Sequence, residues 1–148
     1  MTIIQSIMIN ADMESVWEAF ADLPKWKGWC RAVGVSSRDG SIRKGLRFRL
    51  RLRLFWVPLR FKTVVEEVSV HDRVVWSARK LGIRARHEFL FTSIDGCKVI
   101  LTSRETFRGF GMKIIGPLVP KKRLKKLTRR MLEELKRAAE RRAGPDAT

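Results

Sequence analysis

Between Leu46 and Leu54 the chain alternates strictly, with Leu46, Phe48, Leu50, Leu52 and Leu54 separated by Arg47, Arg49, Arg51 and Arg53. Period two sends successive side chains to opposite faces, so this segment predicts a strand with one oily and one cationic face. The β-branched run Thr2–Ile9 predicts an earlier strand, and Ala32–Ser37, before a turn at Asp39-Gly40, predicts another. Leu59–Val70, Val74–Arg79, Ile83–Ser93 and Cys97–Arg108 supply the rest. Short turns between the last five strands imply an antiparallel meander.

Helical spacing appears in two places. Asp12 stands as the cap of Met13–Ala21, where Met13, Val16, Trp17 and Phe20 share a face, and Leu23-Pro24 ends the helix. A short basic-aromatic piece, Lys25–Trp29, follows it. Near the end of the chain Leu124, Leu127, Met131, Leu135 and Ala138 recur at three- and four-residue spacing until Gly144-Pro145. The expected fold is α+β: seven antiparallel strands in a curved sheet around a long C-terminal helix, with two short helices between the first two strands. Residues 1–143 read as one domain and 144–148 as a tail.

Turn lengths then propagate the faces from strand to strand. A four-residue loop at Phe55–Pro58 sets Leu54 opposite Leu59, Leu52 opposite Phe61 and Leu50 opposite Thr63. A four-residue turn at Val70–Arg73 carries that face to Val74, Trp76 and Ala78. A two-residue turn at Leu81-Gly82 carries it on to Ala85, His87 and Phe89. At Ile94-Asp95-Gly96 a three-residue loop with Gly96 left-handed sets Phe91 against Val99 and His87 against Ser103, in preference to a two-residue Asp-Gly turn. The oily face needs a partner, and the C-terminal helix is the one long amphipathic element. A sheet gripping a helix leaves a space. Its expected apolar lining is Phe48, Leu50, Leu52, Phe61, Trp76 and Phe89, with Leu101 and Phe107 from the last strand and Met131 and Leu135 from the helix. Thr63, His87, Ser103 and Glu105 fall on the same face.

Composition bounds this picture. The 148 residues suffice for one domain with a real core, and 45% hydrophobic with 32% charged residues is globular rather than disordered. No apolar run approaches the ~20 residues of a membrane helix. Met1–Met13 shows neither a basic leader nor a small-residue cleavage site, so a secretory signal is not expected. Cys30 and Cys97 read as free thiols of a reducing compartment, which places the protein in the cytoplasm, with peripheral membrane contact left open. The charge stands out: 32 Lys and Arg against 15 Asp and Glu, a formal +17. It is concentrated in Lys121–Arg142 and in Arg43–Lys62, where no acid occurs. Such a field attracts polyanions and anionic membranes without dictating a fold.

Four stretches resemble a known family. Met8-Ile9-Asn10-Ala11-Asp12-Met13-Glu14-Ser15-Val16-Trp17, followed by Asp22-Leu23-Pro24-Lys25-Trp26-Lys27-Gly28-Trp29, resembles the strand-to-helix opening of the START-like (SRPBCC) superfamily. Glu105-Thr106-Phe107-Arg108-Gly109 and the closing helix Met131–Glu140 resemble its polyketide cyclase/dehydrase-like branch. The resemblance implies a helix-grip fold enclosing a hydrophobic cavity for lipids, hormones, quinones or polyketides, in which some members catalyse cyclisation or dehydration. It carries over no catalytic residue, because the superfamily has no universal one. The arginine-dense third strand departs from its pattern.

The candidate chemistry is correspondingly sparse. His87 and Glu105, in an oily cavity, are the candidates for acid–base catalysis; the preferred reading is that, with Ser103, they are polar anchors for a ligand. Trp17, Trp26 and Trp29 read as core. Phe55, Trp56 and Val57, flanked by Arg53, Arg60 and Lys62, suit a membrane interface, as does the apolar run from Phe110 to Val119; the alternative is that both fold back as a lid. Nucleic acid is not expected, since clustered cations come without a helix-turn-helix, zinc pattern or RNA-stacking signature. His71, His87 and two distant cysteines make no metal-ligand spacing. No cofactor is expected, and the sequence leaves oligomeric state open. The leading expectation is a carrier or sensor of a small hydrophobic ligand. The alternatives are a cyclase or dehydratase using the same cavity, and a basic module docking on anionic membrane or nucleic acid.

Overall fold

The computed structural model describes residues 1–37, 40–53 and 58–144. Strand β1 (Thr2–Ile9) leads into helix α1 (Met13–Ala21), a 3-10 turn at Leu23–Lys25 and the single-turn helix α2 (Trp26–Trp29). Strands β2 (Val33–Ser36), β3 (Arg47–Leu52), β4 (Leu59–Ser69), β5 (Arg73–Lys80), β6 (Ile83–Ile94) and β7 (Lys98–Arg108) follow. A short helix α3 (Gly111–Ile114) and a 3-10 turn at Gly116–Leu118 precede the long helix α4 (Lys121–Ala143). The seven strands form one antiparallel curled sheet in the order β1-β7-β6-β5-β4-β3-β2, the helix-grip arrangement. Among the described residues no helix is long and apolar enough to cross a membrane.

Local chemistry sets the element ends. Asp12 caps α1 by accepting from the Ser15 backbone N–H at 3.2 Å. The β5–β6 hairpin is closed by Leu81 and Gly82, both with positive φ (53° and 73°), so Lys80 pairs with Ile83. That two-residue turn type matches the right-handed twist of the strands. A bulge between Val65 and Glu67 interrupts the β4–β5 ladder and lets Val65 and Val68 both reach the core.

The sequence-based pairing is corrected at three hairpins. The β4–β5 turn is three residues, Val70–Asp72, rather than four, so Ser69 pairs with Arg73, and the bulge between Val65 and Glu67 restores the expected inward face of Val74, Trp76 and Ala78. Leu52 pairs with Leu59 and Leu50 with Phe61, so the β3–β4 connection is two residues longer than a loop starting at Phe55; Leu54, Phe55, Trp56 and Val57 themselves lie outside the described residues. The β6–β7 turn comprises Asp95, Gly96 and Cys97, so Phe91 pairs with Leu101 and His87 with Glu105 rather than Ser103. Asp95 and Gly96 both adopt positive φ, which moves the turn one residue later than a turn governed by Gly96 alone. The shifts at the β3–β4 and β6–β7 hairpins are each by two residues, which preserves face. The oily side of β3 therefore still points inward: Leu46 and Phe48 are buried, and Arg47, Arg49 and Arg51 are exposed.

The core fills one half of the concave face. Phe20 of α1 stands at its centre, 4.8 Å from the Phe89 ring, 5.3 Å from Phe91 and 5.7 Å from Trp76. Trp26 lies beside it, its Nε1 donating to the Phe20 carbonyl at 2.8 Å. From α4, Met131, Leu132, Leu135 and Ala139 press into this cluster. Glu134, also buried, accepts from the backbone N–H groups of Arg31 and Ala32 and pairs with Arg130, which ties the segment before β2 to the helix.

Outside, α4 lies along β1. Arg129 donates to the Ser6 carbonyl at 2.8 Å and Lys136 to the Met8 carbonyl at 2.9 Å, while Glu140 accepts from the Asn10 N–H at 3.0 Å. On the convex face like charges meet across strands: Arg49 opposite Lys62, Arg51 opposite Arg60, and Arg84 opposite both Arg79 and Arg108. Glu66 and Glu88 offset this at one end, binding Arg84 and Arg73.

Candidate ligand-binding site

The other half of the grip is open. A cavity of about 320 Å³ lies between the inner face of β3–β7 and the segment that leads into α4. Its sheet wall carries Leu50 and Leu52, Leu59 and Phe61, Trp76 and Ala78, Ala85 and His87, and Glu105 and Phe107. Met112, Ile115, Leu118, Val119 and Pro120 close the opposite side, and Leu124 of α4 closes the end. This volume sits at the low end of small-molecule sites, which are characteristically apolar with a few fixed polar groups.

The polar groups converge at the inner end. A hydrogen bond of 2.6 Å joins His87 Nε2 to Ser103 Oγ, and the Glu105 carboxylate lies 4.0 Å from the same nitrogen. Thr128, one turn beyond Leu124 on α4, donates its hydroxyl to Glu105 Oε1. The His87 ring stacks on Phe89 at 4.0 Å and meets the Trp76 ring edge-on at 5.8 Å. Burial governs the charges here, because both groups lose their hydration and desolvation disfavours the ionised form of each. Desolvation pushes Glu105 up to about 7, opposed in part by the Thr128 hydrogen bond. The same cause pulls His87 down to about 3. Near neutrality the imidazole is uncharged and the carboxyl group lies close to its midpoint, so the cluster presents both donors and acceptors.

Of the residues expected to line the space, Leu50, Leu52, Phe61, Trp76, His87, Glu105 and Phe107 stand on the cavity wall. Phe48, Thr63, Phe89, Leu101, Ser103, Met131 and Leu135 do not; they are buried in packed side chains. The physical reason is the aromatic plug. Phe20, Trp17 and Trp26 occupy the concave half beneath the later turns of α4, where the alternation pattern alone leaves room. Ser103 still takes part through His87. Thr128 was missed, although its place between Leu124 and Met131 on the apolar stripe is the signal that finds it. Of the expected membrane-contact residues, Phe55, Trp56 and Val57 lie outside the described residues, and Arg53 and Arg60 are exposed. Cys30 is buried, its thiol pushed up to about 11 by desolvation, and Cys97 is exposed.

Residues 2–140 match the family model for polyketide cyclase/dehydrase and lipid transport. Solved structures share the architecture at low identity. A hypothetical protein from Helicobacter pylori is 18% identical, with 95% of this chain covering 88% of that one at a TM-score of 0.77. A START superfamily protein from Mycobacterium smegmatis is 17% identical, with 96% of each chain covered and a TM-score of 0.66. Norcoclaurine synthase from Thalictrum flavum, as a point mutant in complex with a transition-state analogue, is 11% identical, with coverages of 94% and 93% and a TM-score of 0.70. No curated protein matches the chain in sequence.

Proposed function

The chain belongs to the polyketide cyclase/dehydrase and lipid transport family, and from that premise we propose that it carries or senses a small hydrophobic molecule of the lipid, isoprenoid, quinone or polyketide type. One observation carries this reading: an apolar cavity of about 320 Å³ ends in a hydrogen-bonded cluster of His87, Ser103, Glu105 and Thr128. The walls accept hydrocarbon or ring surface, gaining roughly 25 cal/mol per Å² removed from water less the ordering costs. The cluster suits a neutral polar end, such as a hydroxyl or a ketone, because it offers both hydrogen-bond donors and acceptors in an otherwise apolar wall. The setting is the cytoplasm, where Cys30 and Cys97 stay reduced.

Native mass spectrometry of freshly purified protein, followed by extraction of the bound molecule, tests this. A stoichiometric apolar adduct is expected. Its absence, together with failure to bind an environment-sensitive apolar dye, overturns the reading.

One observation favours a second reading, acid–base catalysis on the bound molecule: Glu105 and His87 stand together on the cavity wall, 4.0 Å apart, where a carboxyl group raised by burial is suited to moving a proton. Once the ligand is extracted, incubation with wild-type protein and with Glu105→Gln discriminates between the two. A water-loss or isomerised product formed by wild type alone supports catalysis, and unchanged ligand with both leaves the carrier reading standing.

A further inference from the structure

The cavity wall continues onto the surface. Leu81 and Leu118 line the cavity and are also 71% exposed, and Phe110 (73%) and Ile114 (66%) stand on the same segment. Among the described residues, four of the seven large apolar side chains in solvent are therefore at this mouth. They are held together by backbone: the Gly111 N–H donates to the Gly82 carbonyl at 3.1 Å, which docks the segment against the β5–β6 hairpin turn.

Every charged residue in this part of the chain is a cation. Arg108, Lys113, Lys121 and Lys122 are exposed around the apolar group, and no acidic residue occurs in the sequence between Glu105 and Glu133. We propose that this mouth docks on an anionic phospholipid surface, Phe110, Ile114 and Leu118 entering the acyl boundary while the four cations meet headgroup phosphates.

The charge and the hydrocarbon point to one partner. A bilayer interface offers negative charge at the headgroups and hydrocarbon a few ångströms below, in the order in which this surface presents cations and apolar groups. Nucleic acid supplies the charge without the hydrocarbon. A protein partner seated over the mouth closes the opening, whereas a bilayer leaves a continuous apolar path from acyl chains past Leu118 into the cavity. The proposal rests on the ligand-carrier reading for its purpose, since it makes the membrane the place where cargo is taken up or left.

Vesicle flotation with the full chain tests it, using phosphatidylcholine alone and phosphatidylcholine with about one-third phosphatidylglycerol, at low and at high salt. Wild type is expected to float with the anionic vesicles, and added salt to weaken but not abolish binding. Phe110→Ser and Ile114→Ser, neither of them on the cavity wall, are each expected to weaken it about tenfold. Lys113→Glu is expected to weaken it about fivefold or more. Arg49→Glu, on the convex face of the sheet, changes net charge by the same amount and is expected to have little effect.

Absence of flotation overturns the proposal. So does equal loss for Arg49→Glu and Lys113→Glu with no loss for the serine variants, which assigns the attraction to net charge. Binding to a duplex oligonucleotide that is sensitive to Lys113→Glu but indifferent to Phe110→Ser also overturns it. Apolar dye binding measured without vesicles reports the cavity separately: if the dye binds while flotation fails, only docking falls, and if the dye fails, the carrier reading falls with it.

Discussion

Replacing Glu105 with glutamine makes a buried charge removable without changing shape. In the folded protein the carboxyl group titrates at about 7, against 4.5 for the free side chain. A carboxyl group with a raised folded value holds its proton more tightly when folded, so its cost is absent below 4.5, grows as pH rises and is complete above 7. At 1.36 kcal/mol per pH unit the full cost is on the order of 3 kcal/mol. Glutamine never carries it. Its side-chain oxygen can still accept from Thr128, and its amide replaces the donor of the protonated acid. The imidazole of His87, pulled down to about 3, stays neutral in both proteins over this range.

Urea unfolding at about pH 4 and about pH 8 is the assay. Glu105→Gln is expected to match wild type at the lower pH and to exceed it by about 3 kcal/mol at the higher, corresponding to roughly 6–12 °C in melting temperature. If the variant is less stable than wild type at pH 8, or if the gap is the same at both values, the carboxyl group is not held in the desolvated state described above.

Three further outcomes follow from the packing. Ala85→Phe adds a ring to the cavity wall and should lower affinity for an apolar dye about tenfold or more with melting temperature nearly unchanged; unaltered dye titration moves the binding site elsewhere. In Gly111→Ala the new Cβ would lie 2.1 Å from the Leu81 carbonyl oxygen, so about 2 kcal/mol or more should be lost on chemical denaturation, whereas at Gly28 the space is open and alanine should be neutral or slightly stabilising. Lys62→Glu converts a like-charge pair with Arg49 into an attractive one; it should gain about 0.5–1 kcal/mol at low salt and lose most of that gain when salt is added, as read by thermal melts in a salt series.

Architecture was legible because it is written in periods. Alternation from Leu46 to Leu52, the apolar stripe from Leu124 to Leu135 and the cap at Asp12 all appear where side-chain spacing demands. Faces survived errors of register because two misplaced turns shifted pairing by two residues and the one-residue error at Val70–Arg73 is offset by the bulge between Val65 and Glu67. The site was only partly legible. Which inward residues touch empty space depends on what else fills the concavity, and that was decided by Phe20 and Trp26, side chains remote in sequence from the strands they cover. The pairing of His87 with Glu105 depended on the positive φ of Asp95, a choice composition does not reveal. The single-turn α3 and the 3-10 turn after it are too short to generate a period, so only the oily run from Phe110 to Val119 marked the far wall.

The contacts between α4 and β1 bear on self-association. A border strand ordinarily offers a row of free acceptors to any passing polypeptide, the usual start of fibril growth. Here Arg129 and Lys136 already occupy the Ser6 and Met8 carbonyls, so a stray β-segment must first displace two charge-assisted hydrogen bonds. Part of the chain's basic excess thus sheathes the sheet, and recruitment of further copies is left to the opposite border, where β2 offers only four residues.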